Sequence, residues 1–398
     1  MELEQARELF LDRLKQIEET ETVSLSSSYG RITASDIYSK TDVPPFPKSA
    51  MDGYAVRASD ILSATETSPV ILSVKEEVDA GDVPGSVYEE GAAVRIMTGA
   101  MLPDGYDSVV KQEDTDYGSE TVKIFHPVNE SVNVCPVGEN VKNGDLLVGK
   151  NTKIGRSEAG MLASAGINEI IVRRKPRIAI ISTGSELQKP GEKLAAGKIY
   201  NSISYMLEAE LYGKGFELLE SKICPDNEKA IREELETVLN NADFIITTGG
   251  VSVGKKDLLP AVLESIGAIT CFKRINIQPG TPTIGSVKDG KGILSLSGNP
   301  FAALANFDMY FYHAMQRLTG NDAYVPKTCE AVLGQDYDKT NKVRRLIRAK
   351  TENGRVYLPE GGNKSSVISN LSECNCYIDL EAGSNVKKGD KVKIIIPG

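Results

Sequence analysis

Apolar side chains recur three and four positions apart at the head of the chain. Leu3, Ala6, Phe10, Leu14 and Ile17 fall on one stripe, which predicts an amphipathic helix across residues 2–19. The period is lost at Thr41-Asp42-Val43-Pro44-Pro45-Phe46-Pro47, where clustered prolines enforce an extended, stiff boundary. From about 50 to 140 only short β-rich runs occur (VILSVKE, AAVRIM, DSVVKQE and TVKIF), separated by Gly, Pro and Asp turns. They predict an inserted all-β domain. A strand and a short helix near Ser157 to Ala165 follow, and IIVRRKPR leads out of that region.

At residue 176 the texture changes. RIAIIS, ELLESKI, DFIITT, ITCFKRI and GILSLS are apolar or β-branched runs, as expected of strands buried on both faces. Helical stripes alternate with them: Ile203, Met206, Leu207 and Leu211; Ile231, Leu235, Val238 and Leu239; Leu258, Leu259, Val262 and Ile266. The alternation predicts an open, doubly wound, mostly parallel α/β sheet with right-handed crossovers. A last helix runs over 300–318, with Asn299 as its cap and Pro300 in the first turn, where the missing N–H costs nothing. Beyond 326 the helical stripes vanish, and VRRLIRAKT, GRVYLPE, CNCYIDL and DKVKIIIPG predict a small C-terminal β domain. The fold class is multidomain α/β plus β. Its parts are 1–46 together with 141–175, an inserted β-rich domain at 47–140, a central α/β domain at 176–322, and the C-terminal β domain at 326–398.

A chain of 398 residues exceeds one ordinary core, in keeping with several domains. A formal net charge of −9 lacks the field that a general nucleic-acid binder needs. Small ligands met at a local positive pocket are the expected partners. The N-terminus has no basic n-region and no apolar h-region, and no apolar run approaches the roughly 18 residues of a membrane span. The expectation is a cytoplasmic protein with no membrane attachment. Six cysteines include no C-x-x-C pair, which fits structural thiols in a reducing compartment. Cys374 and Cys376 fall in one strand-like run, with both side chains on one face. His126 and His313 are the only histidines, too few for a multi-histidine zinc site. Any metal would be held by oxygens, which suits Mg²⁺.

In an open α/β sheet, ligands bind beyond the carboxyl ends of the strands. Three such ends carry small or polar residues: Thr183-Gly184-Ser185-Glu186, the stretch from Thr247 to Asp257, and Ser297-Gly298-Asn299-Pro300. Glycines let a backbone approach a phosphate and aim N–H groups at it, and the helix head after Asn299 adds partial positive charge. None of the three is a dinucleotide or P-loop fingerprint, and each alone is also an ordinary strand-to-helix turn. Asp257 reads equally as a helix cap and as a Mg²⁺ ligand. Glu186 reads equally as a plain loop residue and as a metal or substrate ligand. Asp52, in Ala50-Met51-Asp52-Gly53-Tyr54, also fits simple turn chemistry. On the residues alone, the best description is an anion-handling enzyme of the nucleotide-sugar or phosphotransfer kind.

Taken as a set, the motifs resemble the molybdopterin molybdenumtransferase family, the bacterial MoeA-like proteins related to the cofactor-synthesis domain of gephyrin. The matching stretches are Pro44 to Val56, Val94 to Ala100 with Leu102-Pro103-Asp104-Gly105 and Gln112-Glu113-Asp114, Ser182 to Leu187, Thr248 to Gly254 followed by Asp257, and Gly298-Asn299-Pro300. They run in family order over nearly the whole chain. The resemblance implies an elongated N-terminal region, a molybdopterin-binding α/β domain, and a homodimer with its active site at the interface. It implies insertion of molybdate into adenylylated molybdopterin to give molybdenum cofactor and AMP, with Mg²⁺, and transient contact with the adenylyltransferase that supplies the precursor. Asp52, Glu186 and Asp257 fall on the family's active-site carboxylates, the last two as metal ligands. Thr98, Gly99, Thr183, Gly184, Thr248, Gly249, Gly250, Val251, Ser252, Gly254, Ser297, Gly298, Asn299 and Pro300 fall on the ligand-cradling parts.

The chain departs from that pattern at several charges. Asn140, Asn201, Asn227 and Ser185 stand where the family commonly has Asp, and Gln278 and Thr281 where it has Lys. Negative and positive charge are removed together. This leaves an alternative, a non-catalytic or retuned paralogue that binds molybdopterin or handles tungstate.

Overall fold

The computed structural model describes residues 1–251 and 258–398. The N-terminal stripe forms a shorter helix than its spacing predicts. Helix α1 spans Leu3–Leu11, yet Leu14 and Ile17 stay buried after the chain leaves the helix. Phe10 meets Phe244, Phe272 and Tyr310 edge-on, with ring centroids 6.1, 6.1 and 6.5 Å away. The stripe thus belongs to the core of the central sheet rather than to the N-terminal unit in which 1–46 would place it. A nine-residue helix is marginal alone and takes its stability from the apolar face it packs against. Later residues of that segment do join 141–175. Val23, Leu25, Ile37 and Val43 pack against Val141, Leu147, Ile170 and Val172, and Thr20–Ser24 pairs antiparallel with Glu169–Arg173. Helix α2 (Arg156–Ser164) lies in the same unit, its head closed by Glu158, which accepts the Gly155 N–H at 2.9 Å.

Between these halves sits a five-stranded sheet in the order Ser108–Lys111, Gly53–Val56, Ala92–Ile96, Val70–Val78, Thr121–Ile124. Strand alternation sends Tyr54, Val56 and Val110 into one apolar cluster and Ala55, Val94 and Val109 into another.

The central sheet has the order Glu217–Cys224, Arg177–Thr183, Phe244–Thr248, Lys291–Leu296, Ile284–Lys288, Ile269–Lys273. The first four strands are parallel, Ile284–Lys288 runs against them, and Ile269–Lys273 pairs antiparallel with Ile284–Lys288. Helices α3 (Ile203–Gly213), α4 (Glu228–Leu239), α5 (Leu259–Ser265) and α6 (Pro300–Thr319) complete the unit. Ile178 and Ile180 join α1, α3 and α6 on one face, while Ala179 and Ile181 join α4 and α5 on the other. Cover on both faces explains the unbroken apolar run RIAIIS. One strand was not expected. Ile284–Lys288 makes a hairpin with Lys291–Leu296 through Asp289 and Gly290, whose φ values are 54° and 89°.

The C-terminal strands close into a small barrel, because Arg344–Glu352 pairs with both Arg355–Tyr357 and Cys376–Leu380. Cys374 precedes that last strand, so the two nearby thiols do not share a strand face. Cys374 donates to the Asn370 carbonyl and Cys376 to that of Ala349. A two-residue strand of the central unit, Ile277–Gln278, pairs in parallel with Arg344 and Arg345 of the barrel. Arg344 also grips Asp379 through two 2.7 Å bonds and reaches Glu4 of α1 at 2.7 and 2.8 Å. Among the described residues, no helix is long and apolar enough to cross a membrane.

Candidate functional site

The chain leaves the Arg177–Thr183 strand toward one side of the sheet, for Glu217–Cys224, and returns on the other side for Phe244–Thr248. That reversal is a topological switch point, where α/β sheets open a crevice. Thr183 and Thr248 end the two strands and brace each other. Thr183 Oγ1 donates to the Thr248 carbonyl at 3.3 Å, and Thr248 Oγ1 to Ser182 Oγ at 3.1 Å. Gly249 follows with φ 88°, and a Cβ there would stand 2.2 Å from the Thr183 carbonyl oxygen. Only glycine permits both the conformation and this approach. The Glu186 carboxylate folds back over Gly184, 2.7 Å from where a Cβ would lie. Gly298 completes the convergence, with a Cβ position 3.9 Å from Gly249 Cα. Thr183, Glu186, Asn201, Thr248, Gly249, Gly298 and Pro300 line the resulting hollow of about 80 Å³.

Two expected donors are already engaged. The Gly249 N–H donates to the Leu296 carbonyl at 3.1 Å and the Asn299 N–H to Ser297 Oγ at 3.2 Å. Asn299 occupies the cap position of α6, but its side chain makes no capping bond, and the Phe301 N–H is taken by the Ser365 carbonyl at 3.0 Å. Val251 turns into the apolar core beside α4 and α5, so its side chain is no ligand contact.

On the other side of the Ser297–Pro300 loop lies a larger cleft of about 550 Å³ between the central unit and the barrel. Gln278 to Pro282, Ser297, Asn299 and Ala302 form one wall, and Lys339, Arg345 and the Gly361–Ser366 loop form the other. Gly280 can exist there only as glycine. Its φ is 92°, and a Cβ would sit 1.8 Å from Asn306 Nδ2, which donates to the Gly280 carbonyl at 2.8 Å. Lys339, Arg345 and Lys364 have no carboxylate partner among the described residues. The cleft is therefore a local positive basin in an acidic molecule. Sequence reasoning missed all three cations, because nothing local to them signals a ligand.

Asp52 belongs to a third place. Its Oδ1 accepts both the N–H and the hydroxyl of Thr98 at 2.7 Å, and the Gly99 N–H donates to the Ser49 carbonyl at 2.8 Å. The Thr98 hydroxyl first, and its N–H second, hold the Asp52 carboxyl below the usual carboxylate range. Among the described residues, no hydrogen bond links Asp52, Thr98 or Gly99 to the strand-end loops. Ser252, Gly254 and Asp257 lie outside the described residues.

Two departures from the family pattern have structural work. Asn227 caps α4 by accepting the Ala230 N–H at 2.9 Å, and Asn201 accepts the Ser204 N–H at 3.3 Å. Asn140 sits in an exposed loop, its N–H given to the Val43 carbonyl at 3.0 Å. Among the described residues, no three His, Cys, Asp or Glu side chains cluster as a metal cage. Mg²⁺ does not need one, since it is commonly held by one or two carboxylates together with water and substrate phosphate. Glu186 offers one such oxygen donor at the mouth of the smaller hollow.

Three family models divide the chain: "MoeA N-terminal region (domain I and II)" over residues 1–166, "Probable molybdopterin binding domain" over 179–317, and "MoeA C-terminal region (domain IV)" over 330–396. A molybdopterin molybdenumtransferase of Staphylococcus epidermidis is 36% identical over 378 residues, covering 94% of this chain and 90% of the relative. One from Staphylococcus aureus is 35% identical over 379 residues with the same coverage. Among solved structures, the molybdopterin biosynthesis MoeA protein from Pyrococcus horikoshii OT3 superposes with a TM-score of 0.85 at 31% identity, covering 100% of this chain and 99% of that one. With all three regions matched in order and relatives aligned nearly end to end, the chain belongs to the MoeA family of molybdopterin molybdenumtransferases.

Proposed function

We propose that this chain inserts molybdate into adenylylated molybdopterin, giving molybdenum cofactor and AMP. The observation that carries the reading is the Ser297–Pro300 loop, which is a wall of both hollows. It places a glycine-lined strand-end pocket, suited to a phosphate-bearing ligand, beside a basic cleft suited to an oxyanion. Molybdate is a dianion, and Lys339, Arg345 and Lys364 can receive it with no carboxylate competing for them. They supply the charge that Gln278 and Thr281 lack, which favours a working transferase over a retuned carrier. The Thr183–Thr248 brace and Gly249 hold the strand ends rigid, so the ligand meets a preorganised surface.

Glu186 and Asp257 would hold Mg²⁺. When bound, the ion draws charge from the phosphate link and makes AMP a better leaving group. The dithiolate that receives the metal belongs to the pterin, so no protein cysteine need ligate it. The reaction needs a precursor already carrying AMP, and an adenylyltransferase in the same cytoplasmic compartment would supply it.

The working unit would be a homodimer. Within one chain, Asp52 and Thr98 stand apart from the strand-end hollow, and a second copy would bring its Asp52 there. Purified protein mixed with adenylylated molybdopterin, molybdate and Mg²⁺ should release AMP and yield active cofactor. Asp52→Ala and Glu186→Ala should each be inactive, yet mixing them should restore part of the activity through mixed dimers. A mixture as dead as its parents would refute the shared site, and wild-type protein that releases no AMP would refute the transferase reading.

A further inference from the structure

Asn201 is buried to 4% exposure just ahead of α3, where it lines the strand-end hollow. A short ladder fixes it there. Leu187–Gln188 pairs in parallel with Ile199–Tyr200, and the Asn201 N–H donates to the Gln188 carbonyl at 2.9 Å. Asn201 thus hangs from the same ladder as Glu186, whose carbonyl takes the Ile199 N–H at 2.9 Å. The Ser204 N–H sets which way round the Asn201 amide lies. It donates to Oδ1 at 3.3 Å, so Nδ2 is the end left over. Nδ2 has no acceptor among the described residues, and it is not sealed in the interior, so it opens into the hollow.

Two backbone donors accompany it. Ser202 and Ile203 line the same hollow, and neither N–H has a backbone partner among the described residues. They stand at the head of an 11-residue helix that has no acidic residue in its first turn and no capping bond from the Ser202 side chain. The partial positive charge of the helix head therefore meets no counter-charge from its own first turn. Three neutral donors border a hollow of about 80 Å³, roughly the room of two or three liquid waters. A phosphoryl group fits such a space, whereas a fused ring does not. N–H groups of this kind receive an anion without bringing a mobile charge of their own.

We propose that Asn201 and the head of α3 form a seat for the phosphate of the pterin nucleotide, which they hold through neutral donors and without a metal. Glu186, at the mouth, is left for the cation. The claim rests on the transferase reading for the identity of its ligand. Calorimetry of AMP and of adenosine with the 398-residue chain in EDTA tests it apart from turnover. AMP should bind without metal, and adenosine about tenfold more weakly. Asn201→Asp keeps the acceptor for the Ser204 N–H, and with it the helix cap, but puts a carboxylate where the donor was. AMP should then bind about tenfold more weakly in EDTA, while adenosine stays within about twofold of wild type. Added Mg²⁺ should recover more affinity in the variant than in wild type, since a second carboxylate then faces the phosphate. A merely structural role for Asn201 predicts no such difference. Should Asn201→Asp fail to fold, Asn201→Ser decides the matter, because serine also caps and carries no amide donor. It should weaken AMP several-fold in EDTA. Unchanged AMP affinity in the folded variant overturns the proposal, and so does wild-type protein that binds AMP no better than adenosine in EDTA. Wild type that binds AMP in EDTA but never releases it from adenylylated molybdopterin sinks only the transferase reading, and the phosphate seat stands.

Discussion

The phenol of Tyr377, on the barrel, donates to Asp308 Oδ2, on α6, in a seam where neither residue is more than 5% exposed. Burial pushes the Asp308 carboxyl up to about 8, against the Tyr377 bond, which favours its ionised form. Glu210 of α3 and Lys214, just past its end, also face this group, the first raising and the second lowering it. The folded protein thus binds a proton here that the unfolded chain releases near 3.8. Its contribution to stability is fully present below that value and is lost as pH rises toward about 8. Asp308→Asn keeps the acceptor for Tyr377 and cannot ionise. Melting curves should show it gaining on wild type between pH 5 and pH 8, and parallel curves would refute the assignment.

Gly249 should tolerate no side chain. Gly249→Ala would press a methyl group onto the Thr183 carbonyl in a left-handed conformation, at a cost on the order of 3 kcal/mol. Denaturant unfolding should show the loss, and activity should fall with it. Gly160 is the contrast. It is an exposed residue of α2 with nothing within 4 Å of its Cβ position, so Gly160→Ala should stabilise by about 0.5–1 kcal/mol.

The basic cleft should act through charge. Arg345→Gln and Lys364→Gln should each raise the KM for molybdate several-fold and leave the KM for the pterin nucleotide nearly unchanged. The wild-type KM for molybdate should also climb with ionic strength, and less steeply in the variants. Steady-state kinetics at two salt concentrations checks both. Equal salt slopes would remove the cleft from the reaction.

Arg344 joins α1 to the barrel. Arg344→Ala would strand Asp379, whose side chain has no exposure, and free Glu4. Lys393, at 3.0 Å from Asp379, covers part of the lost charge. Unfolding should show a loss of about 3 kcal/mol. Burial tends to raise the Asp379 carboxyl, but Arg344 and then Lys393 bring it below its usual range. Wild-type stability from this pair should therefore hold at neutral pH and vanish only as acid protonates Asp379.

Much of this was readable in advance because local rules govern it. The central strands announce two-sided burial by their unbroken apolar runs, and the three strand-end turns announce themselves by glycine and threonine. Where local pattern and tertiary packing part, the reading fails. Leu14 and Ile17 continue the helical stripe of α1 but are buried by the sheet after the helix has ended. The Ile284–Lys288 strand had its own signal, Asp289-Gly290, the residue pair of a type I′ hairpin turn, which the expectation of a helix between strands overrode. Lys339, Arg345 and Lys364 gain meaning only when the barrel folds against the 278–282 turn. Arg348 looks like one more surface cation in a basic strand until its burial is seen. No periodicity reports such distant partners.

The two-residue ladder between Ile277–Gln278 and the barrel strand makes the last domain a poor candidate for removal. Truncation after Tyr324 would strip Gln278 of its pairing, open Phe301 to water, and leave an unpaired strand end beside bare apolar surface. Such an edge recruits other chains. The shortened protein should accumulate as aggregate rather than as a smaller soluble enzyme, so the carboxyl-terminal module acts as a stopper on its neighbour as well as one lip of a binding groove.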